Sequence, residues 1–505
     1  MAAIKDLREF IAQLEKRGQL KRITAEVDPY LEIGEITDRV SKEVGPALLF
    51  ENPVNRETGE RYSAPVAINL MGNYDRMAWA LGVDAETGTW KDLDAVAGRL
   101  MELLPLDMPA SMKDKLAVVM NLREVATSGA KEIKKAPCQE VVLRGEDVDL
   151  TKLPVLTTWP DDGGPFVTLP LVVTNNPKGK LNVGMYRLQI FDRNTTGLHI
   201  HEHHDGAKNL RAWKAAGVSR VPVSVAIGGD PTTIFSATAP VPPMIDEYLF
   251  SGIIRGESVE VVKCLTNDLL VPAHAEFVLE GWCDLEETRW EGPFGDHTGY
   301  YSLVDDYPVF HLTAMSHRRD AIYPATLTGK PPMEDCFLGK ATERLFLPIL
   351  RLTLPEIVDM DLPVEGVFHD CAVISIRKAY PGHARKVMSA VWGLGQMMFT
   401  KFVVIVDEHV DVHDASEVTW RVFNNVDPVR DCMIVKGPLD VLDHSSPTPR
   451  YGAKMGIDAT KAWAEEGHPR EWPDEVRMDP DVSARVDARW SELRLPFPPH
   501  PRRGR

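Results

Sequence analysis

The sequence has no Cys-x-x-Cys pair, no internal repeat, no low-complexity tract and no apolar run near the length of a membrane span. Its six cysteines, Cys138, Cys264, Cys283, Cys336, Cys371 and Cys432, are scattered. That spread suits reduced thiols in a cytosolic protein better than a disulfide framework. Uninterrupted apolar stretches such as 402–406 fall far below the roughly 20 residues that cross a bilayer. The first residues open directly into a charged amphipathic segment, so no secretory signal is expected. Positive charge is also in short supply, with 57 Lys and Arg against 74 Asp and Glu and a net charge of −17. A nucleic-acid partner is therefore not expected, because phosphate neutralisation needs clustered cations. The expectation is a cytoplasmic protein, with peripheral membrane contact left open.

What is present is ordinary globular composition, 44% apolar and 26% charged, over 505 residues. One hydrophobic core seldom organises so long a chain, so two or three domains are expected. Residues 6–17 read as a helix, since Leu7, Phe10, Ile11 and Leu14 repeat at i, i+3, i+4 and i+7. Asp6 can cap it with Glu9 three residues on, and Gly18 offers the stop. Mixed helical and short-strand patterns over 1–114 predict an N-terminal α/β domain. Over 115–322 the texture turns to short strands rich in Val, Ile, Thr and Phe, at 166–174, 182–191, 198–204, 221–227, 258–264 and 275–283. Turn clusters such as Asn175-Asn176-Pro177-Lys178-Gly179 separate them, the pattern of an antiparallel barrel or sandwich. From 323 to 485 helices alternate with buried strands at 372–376 and 402–406, a second α/β domain. Residues 486–505 form a tail ending in a Pro- and Arg-rich stretch.

Four stretches could carry chemistry. In His199-Ile200-His201-Glu202-His203-His204-Asp205, four of the chain's 15 histidines lie within six residues. On a strand His199, His201 and His203 would share a face, and neutral imidazole is the commonest metal ligand. A surface strand can carry histidines by chance, so metal or phosphate involvement and a bland exposed strand weigh equally at this point. Glu291-Gly292-Pro293-Phe294-Gly295-Asp296 sets two carboxylates around a Gly-Pro turn, where backbone can approach a ligand closely. An acidic surface turn is the plainer alternative. Arg187 stands alone among the apolar neighbours of 182–189 and must find a carboxylate, either structural (Glu291, for instance) or that of a substrate. Asp246-Glu247 reads as an acid-rich helix N-terminus.

Together with Asp6-Leu7-Arg8-Glu9-Phe10, Gly45-Pro46-Ala47-Leu48-Leu49-Phe50-Glu51-Asn52-Pro53, Glu260-Val261-Val262-Lys263-Cys264-Leu265-Thr266-Asn267-Asp268 and Lys454-Met455-Gly456-Ile457-Asp458-Ala459-Thr460, these stretches resemble the UbiD family of prenylated-flavin decarboxylases over nearly the whole chain. The resemblance implies a central split β-barrel, FMN-binding-like, that holds prenylated FMN between the two α/β domains. It implies Asn182, His203 and Glu247 as ligands of a divalent metal, usually Mn2+, that clamps the cofactor phosphate. Met185 and Tyr186 would also contact the cofactor. The backbone at Ser236, Ala237 and Ala239 would hold a monovalent cation, K+. Arg187 would orient the substrate carboxylate, Glu291 would pair with it, and Asp296 would return a proton to the carbon that loses CO2. It further implies a flavin prenyltransferase as supplier of the cofactor, and a homo-oligomer, dimer or hexamer.

Two points run against a simple transfer. Asn182 and Arg187 are five apart, so a regular strand would aim them at opposite faces, and an irregularity near Gly184 is expected. Ubiquinone-pathway members show Arg-Trp-x-x-His-Arg-Gly-Gly where this chain has His199-Ile200-His201-Glu202-His203-His204-Asp205-Gly206, so both arginines are missing and His204 is an alternative ligand. The first-choice substrate is the 4-hydroxy-3-polyprenylbenzoate of ubiquinone biosynthesis, and the second is a smaller aromatic or heteroaromatic acid. A zinc metallohydrolase built on His199-x-His201-x-x-His204 and a non-catalytic flavin-binding protein are the distant rivals.

Overall fold

The computed structural model describes residues 3–103, 128–201, 204–242 and 245–496. The chain divides into two compact units, Met1–Pro348 and Ile349–Arg505.

The first unit opens with the expected helix, Leu7–Lys16. Leu7, Phe10, Ile11 and Leu14 are its buried face, and the Asp6 side chain accepts from Glu9 N. Each such apolar side chain contributes about 1.5–3 kcal/mol when removed from water. The helix leads into a four-stranded mixed sheet, in the order Leu20–Val27, Ala47–Pro53, Val66–Ile68 and Tyr323–Ala325. The last strand returns from far along the sequence to pair in parallel with Val66–Ile68.

The middle of the unit is a seven-stranded antiparallel sheet. Its path runs Thr195–Gly197, Asp305–His317, Phe277–Glu291, Arg220–Ile227, Pro170–Asn175 and Leu181–Gly184, with Val141–Arg144 also on Asp305–His317. The strand pairings trace an open path, with no closed barrel among the described residues. Its two long strands carry the site. Their register shifts between Glu280 and Gly281 and again between Asp284 and Thr288. A Cβ at Gly281 would lie 1.8 Å from His311 O, so glycine is what lets the partner strand close up there. Such bulges bend a strand and re-aim its end, which here delivers Glu291 to the interior.

Two expectations are corrected. Residues 198–201 do not form a strand; the chain leaves the sheet after Gly197, and Asp205–Ala215 is a helix that the pattern reading missed. His199 and His201 therefore do not share one face of a strand. Segment 182–191 is not continuous either. It breaks into Leu181–Gly184 and Leu188–Gln189, and this is the expected irregularity, seated where glycine ends the first piece.

The second unit is α/β as expected. Its five-stranded sheet has the order Ile357–Asp361, Cys371–Ile376, Phe402–Asp407, Tyr451–Asp458 and Cys432–Pro438, with the three inner strands parallel. Across both units all six thiols are free, and burial pushes Cys138, Cys264 and Cys283 up to about 12, so they are inert. No helix among the described residues is long and apolar enough to cross a membrane.

Glu276 ties the first helix to the central sheet. Its fully buried carboxylate accepts from Arg8 Nε and Nη2 at 3.2 and 3.0 Å, from Arg318 Nη1 at 3.3 Å and from Ile322 N at 2.9 Å. Glu276→Ala is expected to cost about 1–3 kcal/mol of stability in urea unfolding, because it takes an acceptor from Ile322 N and from two guanidinium groups, although Arg8 keeps Asp320 and Arg318 keeps Asp6. Asp320→Ala, which removes the exposed partner of Arg8, is expected to cost less than about 1 kcal/mol.

Candidate active site

The break after Gly184 separates Asn182, in the first strand piece, from Arg187, just before the second. Asn182, still in the strand, donates through Nδ2 to Glu247 Oε1 at 2.8 Å, and Val183 N donates to Glu247 Oε2 at 2.9 Å. Glu247 is in place because Asp246 caps the helix Glu247–Arg255 by accepting from Leu249 N, as its acid-rich start suggested. Met185 N, in the gap, donates to Ala237 O at 3.1 Å, just beyond the short buried helix Pro231–Ser236. Tyr186 folds back, and its hydroxyl donates to Asn182 Oδ1 at 3.1 Å while accepting from Gly206 N at 3.4 Å. Asn182, Met185, Tyr186, Ala237 and Glu247 are thus brought together, with Ser236 adjoining.

This half of the site suits a hard cation. Burial, partly offset by the Val183 and Asn182 bonds, pushes Glu247 up to about 7, since its partners are neutral N–H donors. The Asn182 amide oxygen and the half-buried Glu247 carboxylate are oxygen donors of the kind manganese or magnesium prefers, with Asn182 turning its amide nitrogen to Glu247 and its oxygen to Tyr186. The His204 ring stacks on Tyr186 with centroids 5.0 Å apart and planes at 20°. His203 lies outside the described residues.

Arg187 ends the gap and forms the second half. It is 10% exposed, and its guanidinium donates to Glu291 Oε1 from Nε at 3.0 Å, to Asp296 Oδ2 from Nη1 at 2.5 Å and to Ser302 Oγ from Nη2 at 3.0 Å. Phe294 lies over it, 4.4 Å from ring centroid to the central carbon. Of its two candidate partners, then, the structure supplies both carboxylates of the Glu291–Asp296 turn. Burial alone would raise Asp296, but His297 and Arg187 outweigh it and hold the carboxyl below the usual range. His297 Nδ1 sits 2.9 Å from Asp296 Oδ1.

Residues that local pattern did not mark keep this turn in place. Asp162 accepts from Gly295 N at 2.8 Å and from Thr158 and Trp159 N. Gln189 accepts from Gly292 N at 2.8 Å and donates to Gly163 O at 2.7 Å. Trp159 packs so closely on Gly295 that a Cβ there would fall 2.0 Å from its ring. The run Asp161-Asp162-Gly163-Gly164-Pro165 is a turn signature, the one hint the sequence held. His199, read as a possible metal ligand, instead meets Glu291 Oε1 through Nδ1 at 2.7 Å. Its ring packs on His201 and Tyr307, with centroids 4.4 and 4.3 Å away. His201 and His204 are 5.2 Å apart, so rings run from Glu291 to Tyr186 and join the two halves. Asp335 completes the cluster. It is partly buried, yet both carboxylate oxygens are inaccessible and without a hydrogen-bond partner.

Comparison with known proteins adds the following. Models of the 3-octaprenyl-4-hydroxybenzoate carboxy-lyase (UbiD) match the N-terminal domain over residues 11–93, the Rift-related domain over 131–331 and the C-terminal domain over 336–459. An uncharacterized protein of Archaeoglobus fulgidus is 49% identical over 97% of this chain and 99% of its own. Among solved structures, the closed form of the vanillic acid decarboxylase of Sedimentibacter hydroxybenzoicus superposes with a TM-score of 0.85 at 29% identity, covering 98% of this chain and 99% of that one. The UbiD-class enzyme HmfF of Pelotomaculum thermopropionicum, in complex with FMN, gives 0.77 at 29% identity, covering 95% and 98%.

Burial raises Asp335 from 3.8 to about 6, with His297 opposing the rise and Asp296 adding to it. A carboxyl raised on folding resists ionisation only in the folded state. Stability is therefore expected to fall as pH rises from about 4 to about 6, by roughly 3 kcal/mol, and to level off above. Thermal melts across that window are expected to show the fall in the wild type and its loss in Asp335→Asn.

Proposed function

Since the chain belongs to the UbiD family of carboxy-lyases, we propose that it removes CO2 from an aromatic acid without net oxidation, using a prenylated FMN held beside Arg187, Glu291 and Asp296. The observation that carries this reading is the buried Arg187, anchored at Nε by Glu291 and held at Nη1 and Nη2 by Asp296 and Ser302. A guanidinium fixed along one edge, with exchangeable partners along the other, is the planar fork a substrate carboxylate fits.

In the resting site Asp296 is an anion paired with Arg187 and His297. A substrate carboxylate that takes over Arg187 Nη1 weakens that pairing and adds negative charge beside Asp296, and both raise its affinity for a proton. Asp296 is thereby suited to deliver the proton to the carbon that loses CO2. Glu291 keeps Arg187 in register throughout. Phe166 and Phe294 wall the guanidinium against water. The bound cofactor supplies the electron sink that no side chain offers.

Asn182 and Glu247, with His203 or, as the alternative, His204, would hold Mn2+ or a similar ion on the cofactor phosphate. Met185 and Tyr186 would line the same place, and the carbonyls near Ser236 and Ala237 would take K+. Wrapping of the seven-stranded sheet into a split barrel, supply by a flavin prenyltransferase, assembly as a homo-oligomer and a cytoplasmic setting belong to this reading. For the substrate, the family description favours 4-hydroxy-3-polyprenylbenzoate. Whole-length similarity to a vanillic acid decarboxylase, and the loss of both arginines at 199–206, favour a compact hydroxyaromatic acid, in either direction of reaction, and we take that as the better supported.

The test is CO2 release from a panel of aromatic acids by protein co-expressed with a flavin prenyltransferase. Turnover of compact acids is expected, with kcat lowered about 10²–10⁴-fold in Asp296→Asn and in Arg187→Met. Full turnover with plain FMN, or an Asp296→Asn enzyme as fast as wild type, would refute it. Metal analysis tests the ligands: His203→Ala is expected to lose bound manganese, and loss in His204→Ala instead would make His204 the ligand.

A further inference from the structure

We infer that His199 is a positioning residue of the reaction: it pins Glu291 in place and through it fixes the Nε edge of Arg187. The role in turnover rests on the decarboxylation reading above, whereas the interaction itself does not.

Two carboxylates share one guanidinium, each through one nitrogen, and each has a histidine beside it. Asp296 is held by His297, whose backbone N and Nδ1 lie 2.8 and 2.9 Å from Oδ1. Glu291 Oε1 accepts from Arg187 Nε at 3.0 Å and from His199 Nδ1 at 2.7 Å. Glu291 Oε2 is buried with no hydrogen-bond partner and lies against Gly197, where a Cβ would stand 3.2 Å away. Without His199, therefore, Oε1 would keep only the arginine, and the carboxylate would be free to turn about its own axis.

The imidazole is itself well fixed. His199 N donates to Arg187 O at 3.2 Å, and the ring lies between Tyr307 and His201. Because Arg187 can only donate and the Glu291 carboxylate can only accept, the proton shared with Glu291 comes from His199, which sets the Nδ1–H tautomer. Arg187, Glu291, Asp296, His201 and Tyr307 are the titratable and charged groups that face the ring. Burial and Arg187 lower the His199 pKa more than Glu291 and Asp296 raise it, so the ring stays neutral and acts as a plain donor.

Two variants and one spectroscopic measurement test this. His199→Leu removes the donor, whereas His199→Asn places an amide N–H near the position of Nδ1. In the loaded enzyme, His199→Leu is expected to lower kcat about 10–100-fold, because Glu291 Oε1 loses one of its two hydrogen bonds and Arg187 its fixed edge. His199→Asn is expected to come within a few-fold of wild-type kcat. In cofactor-free protein, 15N NMR of labelled histidine, assigned by the signal lost in His199→Asn, is expected to show the neutral Nδ1–H tautomer. An unchanged kcat in His199→Leu, an Asn variant no better than Leu, or an Nε2–H tautomer would each overturn the inference. If the wild type released CO2 from no acid, the decarboxylation reading would fail, and the NMR result would still decide whether His199 pins Glu291.

Discussion

A guanidinium removed from water has to be paired, and around Arg187 that requirement organises everything nearby. Breaking such a buried set by deleting one partner is costly, so the partners must be delivered with little freedom. The two bulged strands of the central sheet deliver Glu291, the Gly292–Pro293 turn delivers Asp296, and the strand that follows brings Ser302. Trp159, Asp162 and Gln189 in turn hold the turn by its backbone. Much of the first unit's middle layer is, in effect, scaffolding for one planar cation.

The two halves of the site are chemically unlike. One is a pair of oxygen donors with surplus negative character, at Asn182 and Glu247; the other is a cation shared between acids. They are joined by a run of aromatic and imidazole rings from His199 through His201 and His204 to Tyr186. Among the described residues of the histidine-rich stretch, His199 is engaged with Glu291 and the rings of His199, His201 and His204 pack in sequence, and they do not form the three-ligand group that a zinc hydrolase would need.

Much of this was legible in the sequence, for local reasons. The first helix declared itself by apolar spacing and a cap, and the second unit's inner strands by short buried runs flanked by turns. The need for a break near Gly184 followed from the period of a strand. What failed was 198–204. Histidines at every second position imitate strand alternation, while the helix Asp205–Ala215 shows too weak an apolar stripe to announce itself. The contacts of His199 with Glu291, and of Asp162 with Gly295, span 92 and 133 residues, and no local periodicity encodes pairings at such range. Asp335 was invisible for the same reason, since only the fold reveals that its oxygens are enclosed.

The interrupted strand between Gly184 and Leu188 has a consequence of its own. With Met185 and Tyr186 between them off the ladder, strand alternation no longer fixes how Arg187 is aimed relative to Asn182, so that relation depends on how many residues the gap contains more than on which ones they are. Side-chain substitutions at 185 and 186 would alter contacts and leave the two directions standing. A one-residue insertion or deletion would rotate Arg187 away from its acids while Asn182 stayed put. Chain length across this gap is therefore the fixed quantity, and a designer grafting new specificity onto this scaffold can vary its composition but not its count.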